Sequence, residues 1–294
     1  MRKTGTRTNS HERVTQGAAS STASRRVFLR LASTLITLEW ANIAFALEPH
    51  TPGSSNQPTP LEQAYPLALK VPPFTRNGAN VPIVVEIRHP MEADHYIKSL
   101  QILNETDPIP SKGIFHLSPA NGRAYLSMQA RINSGSSTVL AVAECTRHGR
   151  WTTRQSITIP EGDGGCATET EEDDHVSSDD GIRPPVIRIP ELVERGWIGR
   201  DEIIRVQMSI RHPSRTGLTH QGATFRQTGD PFYLKEMKVL YGDRLVSRYE
   251  MTPAISDNPF ITFTLRASEQ SAIRVVLTNS RGQQFQAAQE VVLA

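Results

Sequence analysis

Between Val81 and Pro90 the chain reads Val-Pro-Ile-Val-Val-Glu-Ile-Arg-His-Pro, with Val81, Ile83, Val85 and Ile87 on one side of an extended backbone and Glu86 and Arg88 on the other. Period-two alternation marks a half-buried strand, because successive side chains on extended backbone point to opposite faces. The pattern returns after a constant shift of 123 residues, with Ile204, Val206, Met208 and Ile210 in the inward positions. The second copy ends Arg211-His212-Pro213, as the first ends Arg88-His89-Pro90. Ser118-Pro119 is echoed by Thr252-Pro253, and each pair is followed twenty residues later by an apolar strand, at Val139 and Ile273. In between, the alternation slips by one, so that Leu126 and Met128 fall opposite Phe260 and Thr262. A duplicated β-unit is the fold this arrangement predicts, its copies lying side by side with a pseudo-symmetric interface.

Further strands are expected near 100–103, 114–117, 124–132, 138–145 and 151–159, separated by turn signals at Asp107-Pro108, Ser118-Pro119, Asn121-Gly122 and His148-Gly149. Short strands at this spacing predict an all-β chain of two β-sandwiches. The expected boundaries are a leader over 1–46, a Pro-rich spacer over 47–66, a first sandwich over 67–160, a Cys-bearing acidic linker over 161–183 and a second sandwich over 184–294. In the leader, Ser24-Arg25-Arg26-Val27-Phe28-Leu29-Arg30 precedes a short apolar run and Ala44-Phe45-Ala46. That order reads as a twin-arginine export signal, cleaved after Ala46 and delivering a folded protein to the periplasm. Glu39 interrupts the apolar run, which is too short to anchor in a bilayer. The leader holds seven Lys/Arg and two Asp/Glu, leaving 25 basic and 28 acidic residues elsewhere, a net charge of −3. Nothing in that balance, and no basic patch interleaved with aromatics, calls for nucleic acid.

The linker carries the one candidate functional side chain. From Glu161 to Asp180 there are nine acids and no Lys or Arg, and Cys166 follows Gly162, Gly164 and Gly165. Such a segment has little apolar surface to bury and is expected to be disordered and solvated. A thiol placed after glycines on a mobile arm suits a covalent carrier, the glycines supplying arm flexibility. The other reading is a linker that happens to contain a cysteine. The nearby acids disfavour the thiolate, so a partner's active site would have to supply the positive charge that activates it. Cys145, in Thr-Val-Leu-Ala-Val-Ala-Glu-Cys, shares a face with Val139, Ala141 and Ala143 and reads as a core or rim residue. A Cys145–Cys166 disulfide is possible in an oxidising compartment. His89 and His212 sit at matching strand ends, and His95, His116, His148 and His220 show no ligand spacing, so no metal is assigned. No nucleophile elbow, P-loop or dinucleotide fingerprint occurs, and paired carboxylates fall mainly in the linker. The chain is not expected to be an enzyme, and no cofactor is assigned.

Residues 67–166 resemble the SoxY family of sulfur-carrying subunits. The matching stretches are Asn77-Gly78-Ala79-Asn80-Val81-Pro82, His89-Pro90-Met91, Phe115-His116-Leu117-Ser118-Pro119, Val139-Leu140-Ala141-Val142-Ala143-Glu144, Trp151 and Gly164-Gly165-Cys166. Residues 184–294 resemble the partner family, SoxZ, through Pro185-Val186-Ile187-Arg188-Ile189-Pro190, His212-Pro213, Pro253-Ala254-Ile255 and Asn258-Pro259-Phe260. The resemblance implies two immunoglobulin-like sandwiches paired within one chain. It also implies a sulfur intermediate held covalently on Cys166 and shown to partner enzymes, namely haem proteins that conjugate thiosulfate and a sulfate-releasing hydrolase. The single-chain form is similar to SoxYZ-like fusions found beside quinoprotein (PQQ) alcohol dehydrogenases. That context implies an alternative, a non-catalytic accessory or binding module of a periplasmic quinoprotein dehydrogenase with an incidental cysteine. One departure stands out. SoxY chains end soon after the cysteine, whereas Cys166 is followed by Ala167-Thr168-Glu169 and a second domain, so the arm is tethered at both ends.

Overall fold

A computed structural model describes residues 59–167, 181–222 and 224–294. The expected leader, the expected spacer up to residue 58 and the acidic run over 168–180 lie outside these residues. The alternating stretches form antiparallel strands in chain order: β1 (Leu67–Lys70), β2 (Val81–Ile87), β3 (Ile97–Asn104), β4 (Ser111–His116), β5 (Ala124–Ala130), β6 (Gly135–Cys145) and β7 (Gly149–Ile159). The second copy supplies β8 (Arg183–Arg188), β9 (Ile203–Arg211), β10 (Leu218–Gln221), β11 (Thr224–Gln227), β12 (Leu234–Tyr241), β13 (Arg244–Met251), β14 (Phe260–Arg266), β15 (Ala272–Asn279) and β16 (Gln284–Glu290). Of two short helices, α1 (Pro60–Ala64) precedes β1, and α2 (Pro190–Arg195) lies between β8 and β9. The spacer is therefore ordered at its end, where Thr59 and Glu62 form a reciprocal capping box that satisfies the first free amides of α1.

Each copy is a seven-stranded sandwich, one three-stranded sheet over one four-stranded sheet. The inward set named above is buried, with Val81, Ile83 and Val85 at 0% exposure beside Ile204, Val206 and Met208 at 0%. The slip between the copies also resolves. Ile261, Phe263 and Leu265 are the buried apolar residues of β14, and Phe263 pairs with Val206 as Met128 pairs with Ile83.

The two sandwiches do not meet as separate bodies with an interface. They share both sheets. One sheet runs β1-β2-β5-β14-β9-β8 and the other β16-β15-β12-β13-β4-β3-β6-β7, so each reads the same from either end under exchange of the copies. The joins are β5–β14, through Ser127↔Thr262 and Leu126↔Phe263, and β4–β13, through four residue pairs from His116↔Arg248 to Gly113↔Met251. Edge strands with unpaired amides invite pairing, and here each copy's edge is the other's partner. Across the seam Phe115 meets Tyr249 edge-on at 5.3 Å, and Tyr249 meets Phe263 at 6.0 Å, all three buried. A single large apolar core follows, spanning both copies, and the described residues make one compact unit. The β10–β11 hairpin lies between β9 and β12, where the first copy has only the β2–β3 loop, and it changes the shift between copies from 123 to 137, the separation of Ile97 and Leu234.

Candidate functional site

After β7 the chain turns at Pro160–Asp163, where Asp163 N–H donates to the Pro160 carbonyl at 3.1 Å, and returns toward the sandwich. Two backbone bonds stitch it down, Gly78 N–H to Asp163 O at 2.8 Å and Gly165 N–H to Ile132 O at 2.9 Å, and a third, Ile132 N–H to Gly78 O at 2.8 Å, joins the two loops that receive it. Gly165 is glycine because of close approach. A Cβ there would stand 2.3 Å from the backbone N and Cα of Ala79. Gly164 is similarly confined by the Ser134 amide at 2.7 Å, while Gly162 makes an open left-handed turn at φ +87°. The expected flexible arm is thus, through Cys166, a strapped-down segment, and two of its three glycines serve packing. The reason is backbone complementarity to the loops at Gly78 and Ile132, which composition does not reveal.

Cys166 is 0% exposed. Its carbonyl accepts from Thr216 Oγ1 at 2.7 Å, across the seam in the second copy. Arg131 clamps the preceding peptide, donating from Nη1 to Gly165 O at 3.0 Å and from Nη2 to Ser214 O and Asp257 Oδ2 at 2.7 Å each. Beneath lies a buried ion pair, Lys112 Nζ to Asp107 Oδ2 at 2.5 Å, with side chains 0% and 1% exposed. Lys112 also donates to Ile109 O, and Asp107 accepts from the Asn133 amide. Burial pushes the Cys166 thiol up to about 12; Asp107 adds to this, while Lys112 and Arg131 pull the other way. The resting thiol is protonated and shielded, chiefly by desolvation. A cleft of about 440 Å³ opens beside it, lined by Asn133, Ser134, Glu161, Gly164 and Ala167 from one side and His220, Gly222 and Phe225 of the β10–β11 hairpin from the other.

Lys112, Arg131, Asp107 and Thr216 escaped sequence reasoning. The available signal was an acid five residues before a lysine in the tight β3–β4 connection, where a bulge at Ile102/Leu103 lets Lys112 turn inward. Cys145 and Cys166 are both free, at opposite ends of β6, and 11 residues at the rise of a strand separate those ends by roughly 30 Å. The possible disulfide between them is therefore not formed in this fold. The histidines behave differently from the sequence reading. His89, His95, Cys145 and His148 converge, one ligating atom from each lying within 4.8 Å of the others. Chain spacing hid this because the β2–β3 loop and β6–β7 turn meet only once the strands pair.

An all-β protein of two sandwiches sharing both sheets, with a sequestered thiol at the seam, is the class that fold and site define. Residues 55–166 match the family model of the sulfur oxidation protein SoxY, and residues 198–290 match that of the sulphur oxidation protein SoxZ. The chain is a fusion of a SoxY domain with a SoxZ domain and belongs with the sulfur-oxidation carriers. No curated protein matches it in sequence. Solved structures similar to part of it include a superoxide reductase (neelaredoxin) from Ignicoccus hospitalis, at 16% identity and a TM-score of 0.28 over 38% of this chain and 82% of that one. A second form of that reductase aligns at 15% identity and a TM-score of 0.29, over 42% and 89%. Likeness at this level carries no inference. Among the described residues, no helix is long and apolar enough to cross a membrane.

Proposed function

We propose that the chain is a periplasmic carrier that holds a sulfur intermediate covalently on Cys166. The observation that carries this reading is the end of the SoxY match, which falls on Gly164-Gly165-Cys166 itself. With thiosulfate as cargo, the thiol loses a proton, a sulfur–sulfur bond forms, and two electrons pass to a haem partner. Water then releases the terminal sulfonate as sulfate by way of a hydrolase, leaving a persulfide on Cys166. Loading requires the segment to leave the seam, releasing the bonds from Arg131 to Gly165 O, from Thr216 to Cys166 O and from Gly165 to Ile132 O. Three such bonds at about 1 kcal/mol each set an opening cost of roughly 3 kcal/mol, which keeps the exposed thiol a minor population. Export of the folded chain by the twin-arginine leader would deliver it already closed.

Intact-mass spectrometry of the protein recovered from periplasm, during growth on thiosulfate, tests the reading. Added mass mapping to Cys166 is the expected result; a free thiol under every growth condition overturns it.

The complete burial of Cys166 supports a second reading, an accessory module of a periplasmic quinoprotein dehydrogenase that works through its sandwich surfaces. Co-purification with such a dehydrogenase, undiminished in Cys166→Ser, is the result that reading requires.

A further inference from the structure

At the end of the first sandwich remote from Cys166, a group of side chains converges that a sulfur carrier does not use. His89 follows β2, His95 lies in the β2–β3 loop, Cys145 closes β6 and His148 sits in the β6–β7 turn. His95 Nε2 is 3.3 Å from His148 Nδ1, and Cys145 Sγ is 3.7 Å from that same nitrogen. In a tetrahedral site with metal–nitrogen bonds near 2.0–2.1 Å and a metal–sulfur bond near 2.3 Å, ligating atoms stand about 3.3–3.7 Å apart. The four atoms, all within 4.8 Å of one another, need only small side-chain rotations to close around one ion.

The orientation of His89 is an independent observation. Its Nδ1 lies 2.6 Å from the Pro90 carbonyl, which can only accept, so Nδ1 carries the proton and Nε2 a lone pair. That Nε2 is buried and has no hydrogen-bond partner. Leaving it so is costly, and an imidazole pinned by its other nitrogen to a backbone carbonyl is the arrangement that orients a metal ligand.

The second sandwich supplies an internal control. His212 makes the same 2.6 Å bond to Pro213 O, but its Nε2 meets Asn279 Nδ2 at 3.2 Å. Asn279 is the counterpart of Cys145, since it pairs with Leu234 as Cys145 pairs with Ile97. Phe232, its ring 4.8 Å from that of His212, stands where the first copy has His95. One frame thus closes with an amide and an aromatic ring in one copy. In the other it presents a thiol and two more imidazoles.

We propose that His89, His95, Cys145 and His148 bind one divalent transition-metal ion of the zinc type through three imidazole nitrogens and a thiolate. Zinc accepts this mixture of nitrogen and sulfur, whereas calcium and magnesium require oxygen ligands, which the cluster lacks. Binding forms the sulfur–metal bond and releases the Cys145 proton to solvent, with no change of oxidation state. Four protein ligands complete the tetrahedron, so the ion ties the β2–β3 loop to the β6–β7 turn. Tyr65, just after α1, roofs the site, its ring 4.5 Å from His89 and 5.3 Å from His148.

The test is titration of the purified, chelator-treated full chain with Zn2+, and with Co2+ as a spectroscopic probe. One ion per chain is expected, with a thiolate-to-cobalt absorption band and a Tm increase of about 5–10 °C at a hundredfold excess of Zn2+ over Kd. The paired substitution His95→Phe with Cys145→Asn copies residues the second sandwich already accommodates, and should weaken binding at least about a hundredfold. His148→Ala, in an exposed turn, should weaken binding without disturbing the fold, and Cys166→Ser should leave it unchanged. Absence of binding tighter than about millimolar, a cobalt complex without the thiolate band, or equal affinity in a folded paired variant would each overturn the proposal.

Discussion

Gly165 shows how one missing Cβ sets the state of the thiol beside it. Alanine there must displace the Ala79 backbone, against which its Cβ would lie 2.3 Å away, and overpacking of that kind costs about 1–3 kcal/mol. Gly165→Ala should therefore free the segment, raising the rate of maleimide labelling at Cys166 at least tenfold while the circular dichroism spectrum stays unchanged. An unaltered labelling rate would mean that the strap does not control access. The thiol also predicts a pH dependence. Its pKa is raised on folding from an ordinary value near 9 to about 12, so the folded state holds the proton more tightly. The associated stability is fully present below pH 9 and is lost as pH rises from 9 through 12, at up to about 1.4 kcal/mol per unit. Urea unfolding at pH 8 and pH 10.5 should show a larger decline for the native chain than for Cys166→Ser.

At the scale of elements, the β3–β4 hairpin builds the floor of the site. Lys112 and Asp107 are held apart from water by the Ile102/Leu103 bulge, and removing one member leaves the other an unpaired buried charge. Lys112→Met should destabilise the chain by about 3–5 kcal/mol in urea denaturation. Adding Asp107→Leu should recover part of that loss, though not all, because the Asn133 amide then loses its acceptor. The same hairpin shows what could be read ahead of the structure. Phe115 and Ile114 announced a strand, but inward-turned Lys112 has no signature in alternation, since a bulge shifts the face by one residue. Likewise Cys166 stood out in the chain as a thiol among glycines. Its burial did not, because the contacts that hold Gly165 and Cys166 in place, at Ala79, Ile132 and Thr216, come from three distant stretches.

For the molecule as a whole, shared sheets make the two copies one cooperative body. Either alone would expose the edges of β4 and β5, or of β13 and β14, with the apolar residues behind them. Chains cut between residues 167 and 181 should therefore elute as one complex, and the halves co-expressed should reassemble. Each half expressed alone should aggregate, and the intact chain should melt in a single transition. Independent folding of either half would show that the seam is a dispensable contact.

By itself the sequence determined that this chain is all-β, that it is built twice over and where most strands of the first copy lie, because alternation and turn chemistry are local. Only tertiary structure decided that the copies share both sheets, that Cys166 rests unexposed beside Lys112 and Arg131, and that three histidines and Cys145 face one another. Those outcomes depend on strand edges and loop ends meeting across separations from a few tens of residues to more than a hundred, and pairing of that kind has no period along the chain.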